Sequence, residues 1–348
     1  MSGPLVIGNY HIIKLLGKGS FGRVYLARDT QNQEVALKII NPAYAIQKAT
    51  LIQKEFQLAQ EIHEACPNTV AYLESFPIRL PNSLVLPEKW RGKGTRVLVM
   101  EYLSGNSMID SVYNLFLNKG LRSDPSQISE PSKEFLLDPL QILEFLDQLS
   151  LIVECIHQHN LVHGDINLGN VFFDGSKYLL IDFGGSCRLF DPERMEESKE
   201  NKAEICEILN INTPFLNMLP ELAKNQISDR EYYSKYPIPV NRASQYYLAN
   251  DVYSVIICGI ECMLPQILND PDLQNELIAR PFSLPEKLIT YSIEFVNSEM
   301  EQLAQELVNF IIRAFYGFHK GIYLTITEFR EGIQKLTDFA AESFQDYP

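Results

Sequence analysis

Short segments of the first hundred residues carry apolar patterns that are typical of β-strands: residues 10–16 alternate with polar positions, and residues 34–40 are an apolar run with one lysine. These patterns predict strands over residues 10–16, 24–27, 34–40, 69–76 and 96–100. Within the same part, apolar residues at helical spacing predict one helix over residues 43–65. The chain therefore begins with a strand-rich part that includes a single predicted helix.

Helical spacing dominates the rest of the chain. The strongest amphipathic pattern predicts a helix over residues 139–159, and we interpret His157 and His159 as residues at its end, beyond the apolar face. A further apolar helix is predicted to begin at Asp251, whose carboxylate is expected to cap it. Amphipathic segments continue to Phe339, so the pattern predicts an α+β protein with strands first and helices after.

Residues 77–95 form a longer connection between two predicted strands than a hairpin needs. They contain three prolines and the only tryptophan of the chain, Trp90. Two interpretations follow: an exposed docking feature for a dedicated partner, or a surface loop that packs on the fold.

Two short β-type runs, residues 170–173 and 177–181, are joined by Asp174 and Gly175 and predict a hairpin. Asp182 follows the second run directly. Asp182 therefore lies at the open end of the hairpin, opposite the turn.

Asp165 precedes the first run and Asn170 begins it, so both stand at the same open end of the hairpin as Asp182. Carboxylate and amide oxygens suit Mg²⁺, so Asn170 and Asp182 could supply metal ligands. Asp165 would then orient a substrate hydroxyl and accept its proton. The alternative is an ordinary hairpin whose acids are solvated strand ends.

Three glycines, Gly17, Gly19 and Gly22, lie between two predicted strands. Strand, glycine loop and strand predict a hairpin, in contrast to the strand, loop and helix of a dinucleotide-binding fold. Glycines let backbone amides approach phosphate oxygens without obstruction, although a purely structural turn explains the same residues.

Lys38 interrupts an otherwise buried strand, so its charge needs a partner or a ligand. Glu55 and Glu61 of the predicted helix are the candidate partners. We favour Glu55, because apolar residues flank it at helical spacing.

Composition excludes some classes of function. The chain has 348 residues and a formal net charge of −14, which disfavours binding to nucleic acids or anionic membranes. No secretory pattern is visible, and the longest apolar run, residues 252–264, is too short to span a bilayer. We expect a cytoplasmic protein, with a secreted effector as the alternative left open.

The motifs occur in a fixed order: the glycine loop, Val-Ala-Leu-Lys38, Glu55, His-Gly-Asp165 with Asn170, and Asp182-Phe-Gly. This ordered set resembles the protein-kinase family. The resemblance implies a bilobal fold, with a small antiparallel sheet and one helix in the N-lobe and a larger, mainly helical C-lobe. Its bounds would be residues 10–103 and 104–337, with a long activation-segment region at about 182–250 and a short acidic tail at 338–348.

The resemblance also implies an ATP-dependent protein kinase that phosphorylates Ser/Thr hydroxyls of a protein substrate with Mg²⁺ or Mn²⁺. Asp165 would be the catalytic base, Lys38 and Glu55 the ion pair at the phosphates, and Asn170 and Asp182 the metal ligands. The nucleotide would contact Gly17, Gly19, Gly22, Val24, Ala36, Lys38, Met100, Glu101, Leu103 and Phe172.

Departures from the family pattern leave alternatives open. Gly164 replaces the usual arginine, so we expect activity that does not depend on activation-segment phosphorylation. Asn167 stands where Ser/Thr kinases usually have a lysine. The His-Gly-Asp sequence is similar to that of atypical kinases and of small-molecule kinases of the aminoglycoside and choline type, so a small-molecule or lipid acceptor is one alternative. A nucleotide-binding pseudokinase scaffold is another.

The segment after Asp182 also departs from the family in length and sequence. The usual Ala-Pro-Glu anchor is replaced by Leu219-Pro-Glu or by residues 236–240. Residues 193–210 predict a charged helix. We therefore expect that region 190–247 could form a surface for a dedicated partner.

Overall fold

The computed structural model describes residues 5–19, 21–83, 85–117, 138–189, 240–264, 300–319 and 322–343. These residues fall into two compact units. The first lies within residues 1–105 and 181–186, and the second within 106–180 and 187–348.

The first unit is built on one antiparallel sheet of six strands, which includes the five predicted strands and one further short strand at residues 6–7. The strands are β1 (Val6–Ile7), β2 (Tyr10–Lys18), β3 (Gly22–Arg28), β4 (Glu34–Ile40), β5 (Tyr72–Arg79) and β6 (Gly94–Glu101). Their spatial order is β1-β2-β3-β4-β6-β5. Because β5 lies at the edge of the sheet and pairs only with β6, it tolerates Pro77, which has no backbone N–H to donate.

The strand predicted over residues 69–76 is shifted toward the C-terminus in the structure. Thr69 is buried and its hydroxyl donates to the Cys66 carbonyl oxygen at 2.7 Å. The Thr69 carbonyl oxygen lies 2.8 Å from His63 Nδ1. Residue 69 is therefore committed to closing the preceding helix, and β5 begins only at Tyr72.

The two faces of the sheet carry different side chains. One face carries the core of the unit, formed by Ile7, Tyr25, Ala27, Val35, Leu37, Ile39, Leu80, Leu86, Trp90, Val97 and Val99. In the antiparallel register, Lys38 lies opposite Val24 and Leu98, and Ala36 lies opposite Met100. Since directly opposed residues share a face, Val24, Ala36, Lys38 and Met100 lie together on the other face.

The predicted helix 43–65 is two helices, α1 (Pro42–Gln47) and α2 (Ala49–Ala65). The Asn41 side chain accepts from the Ala43 amide, and Pro42 at the first position favours a helix start. Lys48 has φ −128°, outside the helical region, and separates the two helices.

The connection from Leu80 to Lys93 packs on the sheet, as one of the two sequence interpretations expected. It contains a 3-10 turn, Glu88–Trp90, and the Trp90 side chain is only 5% exposed. Leu80 and Leu86 are 1% exposed and belong to the same core.

The second unit contains short strands and long helices. Its strands are β7 (Asn106–Ser107), β8 (Leu161–Val162), β9 (Val171–Phe173), β10 (Tyr178–Leu180) and β11 (Cys187–Arg188). They form two small antiparallel sheets, β10-β9-β7 and β11-β8. The pair β9 and β10 is the predicted hairpin.

The described helices of this unit are α3 (Met108–Leu117), α4 (Pro139–Gln158), α5 (Val240–Met263), α6 (Glu301–His319) and α7 (Ile326–Ser343). Asp138 and Gln141 form a capping box at the start of α4. The helix α7 continues to Ser343, and so through the first part of the predicted tail 338–348.

The prediction that Asp251 caps a helix is wrong. Helix α5 begins at Val240, directly after Pro239, and Asp251 lies within it. Residues 240–251 contain no glycine or proline that would end the helix, so it extends upstream of the apolar run.

Several predictions fall outside the described residues: the charged helix 193–210, the motif at Leu219, and nearly all of region 190–247. Among the helices that the structure does describe, none is long and apolar enough to cross a membrane.

Candidate active site

Lys38 is the centre of a polar cluster in the first unit. Its Nζ donates to Glu55 Oε1 and to Asp182 Oδ1, both at 2.8 Å. The side chains of Lys38 and Glu55 are 7% and 10% exposed, and that of Asp182 is 38% exposed. The structure thus brings together three of the predicted site residues, and it pairs Lys38 with Glu55 rather than Glu61.

Each member of the cluster is placed by a different element. Lys38 lies on β4, Glu55 on α2, and Asp182 just before the 3-10 turn Phe183–Gly185. Asp182 has φ 61°, a left-handed conformation that aspartate tolerates better than most residues, and its Oδ1 accepts from the Gly184 amide at 3.3 Å.

The two carboxylates decide the protonation of Lys38. Burial alone would lower the pKa of Lys38, but Asp182 and Glu55 outweigh burial and raise this pKa well above its usual value. Lys38 is therefore a fixed cation at neutral pH.

Tyr72 belongs to this cluster and was not predicted from the sequence. Its hydroxyl donates to Glu55 Oε1 at 3.3 Å, and its ring lies edge-on to the buried Phe183 ring at 6.1 Å. Burial, partly offset by Lys38, raises the pKa of Tyr72 well above its usual value, so the hydroxyl stays a donor. In the sequence, Tyr72 looks like any aromatic strand residue, and only the tertiary contact with Glu55 distinguishes it.

The glycine loop is a hairpin between β2 and β3, as predicted. The Gly19 amide donates to the Gly22 carbonyl oxygen at 3.0 Å, and Gly17 lies opposite Val24. A Cβ added at Gly22 would lie 2.5 Å from the Ile39 carbonyl oxygen, whereas one added at Gly17 or Gly19 would meet no atom within 4 Å. Gly22 is therefore required by the packing of β3 on β4, and the two other glycines leave open space around the loop.

The remaining predicted nucleotide contacts of the first unit lie on the Lys38 face or follow β6. Ala36 and Met100 are each 8% exposed. Glu101 ends β6; its backbone amide donates to Ala71 O at 3.0 Å, and its Oε1 accepts from the Ala71 amide at 2.8 Å. Leu103 follows, half-buried.

Asp165 and Asn170 come together in the second unit. Asn170 Nδ2 donates to the Asp165 carbonyl oxygen at 2.8 Å and to Asp165 Oδ2 at 3.0 Å. Because both donations use the nitrogen of the amide, Asn170 Oδ1 is oriented the other way. The Asp165 side chain is exposed, in contrast to its neighbours His163 and Ile166.

Asp251 holds the backbone that leads into Asp165. Its Oδ2 accepts from the His163 amide at 2.8 Å, and its Oδ1 accepts from the Gly164 amide at 2.9 Å. Asp251 is completely buried, and Gly164 has φ 77°, which favours glycine. The role of Asp251 is thus to fix the loop.

The interpretation of His157 as a residue beyond the apolar face of its helix needs correction. Its side chain is 9% exposed, and its Nε2 lies 3.1 Å from Asp251 Oδ2. A buried carboxylate on α5 needs polar partners, so this position of α4 faces inward although the residue is polar. His159 does terminate the helix, as its C-cap residue.

Phe172 lies on β9 in the second unit, opposite Leu179 of β10 and Ser107 of β7. The turn of this hairpin is closed by Asp174 Oδ1, which accepts from the amides of Ser176 and Lys177 at 2.8 and 3.0 Å. These backbone hydrogen bonds lower the pKa of Asp174. Asp174 therefore has a structural function.

Asp182 and Asn170 have the donor chemistry of a Mg²⁺ site. Their side chains offer carboxylate and amide oxygens, which are hard ligands. Asp182 retains solvent access, and the amide of Asn170 is oriented by Asp165. The side chains thus fit the ligand type, each within its own unit.

Comparison with known proteins identifies the family to which the chain is similar. A family model described as the protein kinase domain matches residues 10–315. The chain is 31% identical over 194 residues to the carbon catabolite-derepressing protein kinase of Saccharomyces cerevisiae, covering 55% of this chain and 25% of the yeast protein.

Two further relatives have a similar level of sequence identity to this chain. The probable serine/threonine-protein kinase YbdM of Bacillus subtilis is 28% identical over 206 residues, covering 58% of this chain and 67% of that protein. Serine/threonine-protein kinase PAK 1 of Mus musculus is 32% identical over 192 residues, covering 54% of this chain and 28% of the mouse protein. The alignments with the yeast and mouse proteins thus span about a quarter of those proteins.

The antiparallel sheet of the first unit and the helices of the second fit the fold of this family. The family model covers most of the chain, including every motif of the ordered set. The chain therefore belongs to the protein kinase domain family.

Proposed function

We propose that the chain is an ATP-dependent protein kinase that transfers the γ-phosphoryl group to Ser/Thr hydroxyls, assisted by Mg²⁺ or Mn²⁺. The observation that carries the proposal is Lys38, a buried cation held at 2.8 Å by both Glu55 and Asp182. A buried charge costs free energy unless it has partners. A cation held in place on this face of the sheet suits the negative charge of a polyphosphate.

Lys38 would bind the α- and β-phosphates, with Glu55 holding its side chain in place. The glycine loop would cover the phosphates, since its open sides at Gly17 and Gly19 leave backbone amides accessible. Val24, Ala36 and Met100 would line the adenine site, with Phe172, and the backbone of Glu101 and Leu103 would hydrogen-bond adenine.

Asp165 would act as the base that orients the acceptor hydroxyl and takes its proton. Its exposed carboxylate and its hydrogen bond with Asn170 support this role. A divalent metal held by Asn170 and Asp182 would neutralise charge on the phosphates.

The acceptor class comes from the relatives, two of which are named serine/threonine-protein kinases. We further propose that activity needs no phosphate on the activation segment. Glycine at position 164 provides no side-chain cation to receive such a phosphate, and Asp251 fixes this backbone instead. Phosphatase treatment should therefore leave activity unchanged; loss after treatment and recovery after rephosphorylation would contradict this.

The test incubates purified protein with γ-labelled ATP, Mg²⁺ or Mn²⁺, and generic protein acceptors, beside Asp165→Ala. Asp338→Ala, the same substitution at an exposed position of α7, is the control. Label on serine and threonine that disappears in Asp165→Ala but persists in the control is the expected result.

Two other outcomes would contradict the proposal. ATP binding without transfer to protein would favour a small-molecule or lipid acceptor, the alternative that the His-Gly-Asp sequence raised. Absence of ATP binding would favour a scaffold.

A further inference from the structure

We propose that Asn167 is a positioning residue for Asp165. Its uncharged side-chain amide stands in place of the expected lysine and holds the Asp165 carboxylate by hydrogen bonds. This inference rests on the proposed phosphotransfer function and adds a residue to it.

The Asp165 carboxylate is held from two sides. Asn167 Nδ2 lies 3.3 Å from Asp165 Oδ1, and Asn170 Nδ2 lies 3.0 Å from Asp165 Oδ2. The same two nitrogens donate to the Asp165 carbonyl oxygen, at 3.1 Å from Asn167 and 2.8 Å from Asn170. Each carboxylate oxygen therefore accepts from a different amide, and the backbone of Asp165 is fixed by both.

The other end of the Asn167 amide is committed as well. Asn167 Oδ1 accepts from the Gly169 amide at 2.9 Å, and the Asn167 carbonyl oxygen accepts from the Asn170 amide at 2.9 Å. A Cβ added at Gly169 would lie 3.0 Å from Asn167 Oδ1, so glycine allows this close approach. The amide orientation is thus determined: its oxygen faces an N–H and its nitrogen faces oxygens.

The chemistry of this position requires a donor and an acceptor on one short side chain. Lysine has three donors and no acceptor, so it would leave the Gly169 amide without the Asn167 oxygen. Aspartate keeps an acceptor for Gly169 but places an anion against Asp165. Serine has one hydroxyl that can donate or accept, but this shorter side chain does not reach the Gly169 amide and the Asp165 carboxylate together. Asparagine provides both functions at this length.

Holding Asp165 matters because its side chain is exposed. An exposed carboxylate that lacks partners samples several rotamers, and small misplacements of a reacting group are costly to rate. Two amides on opposite oxygens restrict those rotamers and leave the carboxylate pre-oriented for a hydroxyl.

The experiment compares Asn167→Asp and Asn167→Ser with the wild-type protein and Asp165→Ala. Both substitutions keep an acceptor for Gly169 and remove the amide donor to Asp165. We expect kcat to fall by about 10- to 100-fold, the range for a lost hydrogen bond to a charged group. The KM for ATP and the midpoint of thermal unfolding should stay close to their wild-type values. Asn32→Asp, in an exposed turn before β4, makes the same charge change and should keep wild-type kcat.

The outcomes separate this inference from the proposed function. If the wild-type protein is active, Asp165→Ala is inactive and both Asn167 variants keep wild-type kcat, the inference alone is wrong. It is also wrong if only Asn167→Asp loses activity, since repulsion rather than the lost donor would explain that, or if kcat falls only in step with thermal stability. An inactive wild-type protein would overturn both the function and the inference.

Discussion

The Tyr72 hydroxyl donates to the same Glu55 oxygen that accepts from Lys38, at 3.3 Å and 2.8 Å. Tyr72 also packs edge-on against Phe183, which directly follows Asp182. One buried aromatic residue of β5 therefore contacts both the ion pair and the segment that carries Asp182. An aromatic ring with a hydroxyl suits this position, because the ring fills the core and the hydroxyl satisfies a carboxylate.

Removal of the Tyr72 hydroxyl should weaken the cluster without disturbing its packing. Tyr72→Phe keeps the ring beside Phe183 and should lower the free energy of unfolding by about 1 kcal/mol. The KM for ATP should rise a few-fold, because Glu55 holds Lys38 less firmly. Tyr72→Ala also loses the ring and should cost about 3–5 kcal/mol.

Urea unfolding and steady-state kinetics measure both effects. Tyr10→Phe is the control, since it removes a hydroxyl hydrogen bond to Glu74 Oε2 at the exposed surface. A rise in the KM for ATP of the same size in Tyr10→Phe would show that the Glu55 contact is not the cause.

The glycine loop allows its structural and nucleotide-binding roles to be separated. Gly22→Ala would place a Cβ 2.5 Å from the Ile39 backbone oxygen and should destabilise the protein by about 1–3 kcal/mol. Gly19→Ala meets no atom within 4 Å, so its midpoint of thermal unfolding should stay near that of the wild type while the KM for ATP rises. Calorimetry on both variants checks this, and equal destabilisation would refute the assignment.

Much of the fold could be predicted because its signals are local. Local apolar patterns predict five of the six strands of the sheet, and the order of motifs in the sequence identifies Lys38, Asp165, Asn170 and Asp182. The error at the start of β5 arises because a polar side chain binds the backbone. Thr69 does so at the Cys66 carbonyl oxygen, and its hydroxyl gives no sign of this in the sequence.

Other contacts that sequence reasoning missed join residues of different helices and strands. His157 and Asp251 belong to different helices, and Tyr72 reaches Glu55 from a strand. A polar residue on an otherwise apolar helix is usually solvated, so only the tertiary structure identifies the buried partner. The sequence predicts Asp251 as a helix cap because an acid before an apolar run is a common helix start.

Asp251 should contribute strongly to stability because, in a buried site, it accepts hydrogen bonds from two backbone amides and lies 3.1 Å from His157 Nε2. In Asp251→Asn, an NH₂ group must face the amide of either His163 or Gly164, whichever way the side chain is turned. We expect a loss of about 3 kcal/mol in the free energy of unfolding. Urea denaturation measures it beside Asp338→Asn, the same change at an exposed site, which should cost less than about 0.5 kcal/mol. Similar losses in the two variants would contradict the anchoring role.

Glu261 on α5 should make stability depend on pH in the direction opposite to that of a salt-bridged carboxylate. Burial raises the pKa of Glu261 to about 7, from 4.5. The folded protein therefore holds this proton between about pH 4.5 and 7, where the unfolded chain has released it, so the free energy of unfolding falls as pH rises through that window. Above pH 7 the effect levels off.

Glu261→Gln removes the titrating group and keeps its shape. The variant should gain about 3 kcal/mol relative to the wild type between pH 4 and pH 8, because each unit of pKa corresponds to about 1.4 kcal/mol. Urea unfolding at a series of pH values gives the difference directly. Glu342→Gln, exposed near the end of α7, should give a difference that does not change over this range. If the stability difference between Glu261→Gln and the wild type also stayed constant over this pH range, Glu261 would have the same pKa in the folded and unfolded protein. The prediction that burial raises its pKa would then be wrong.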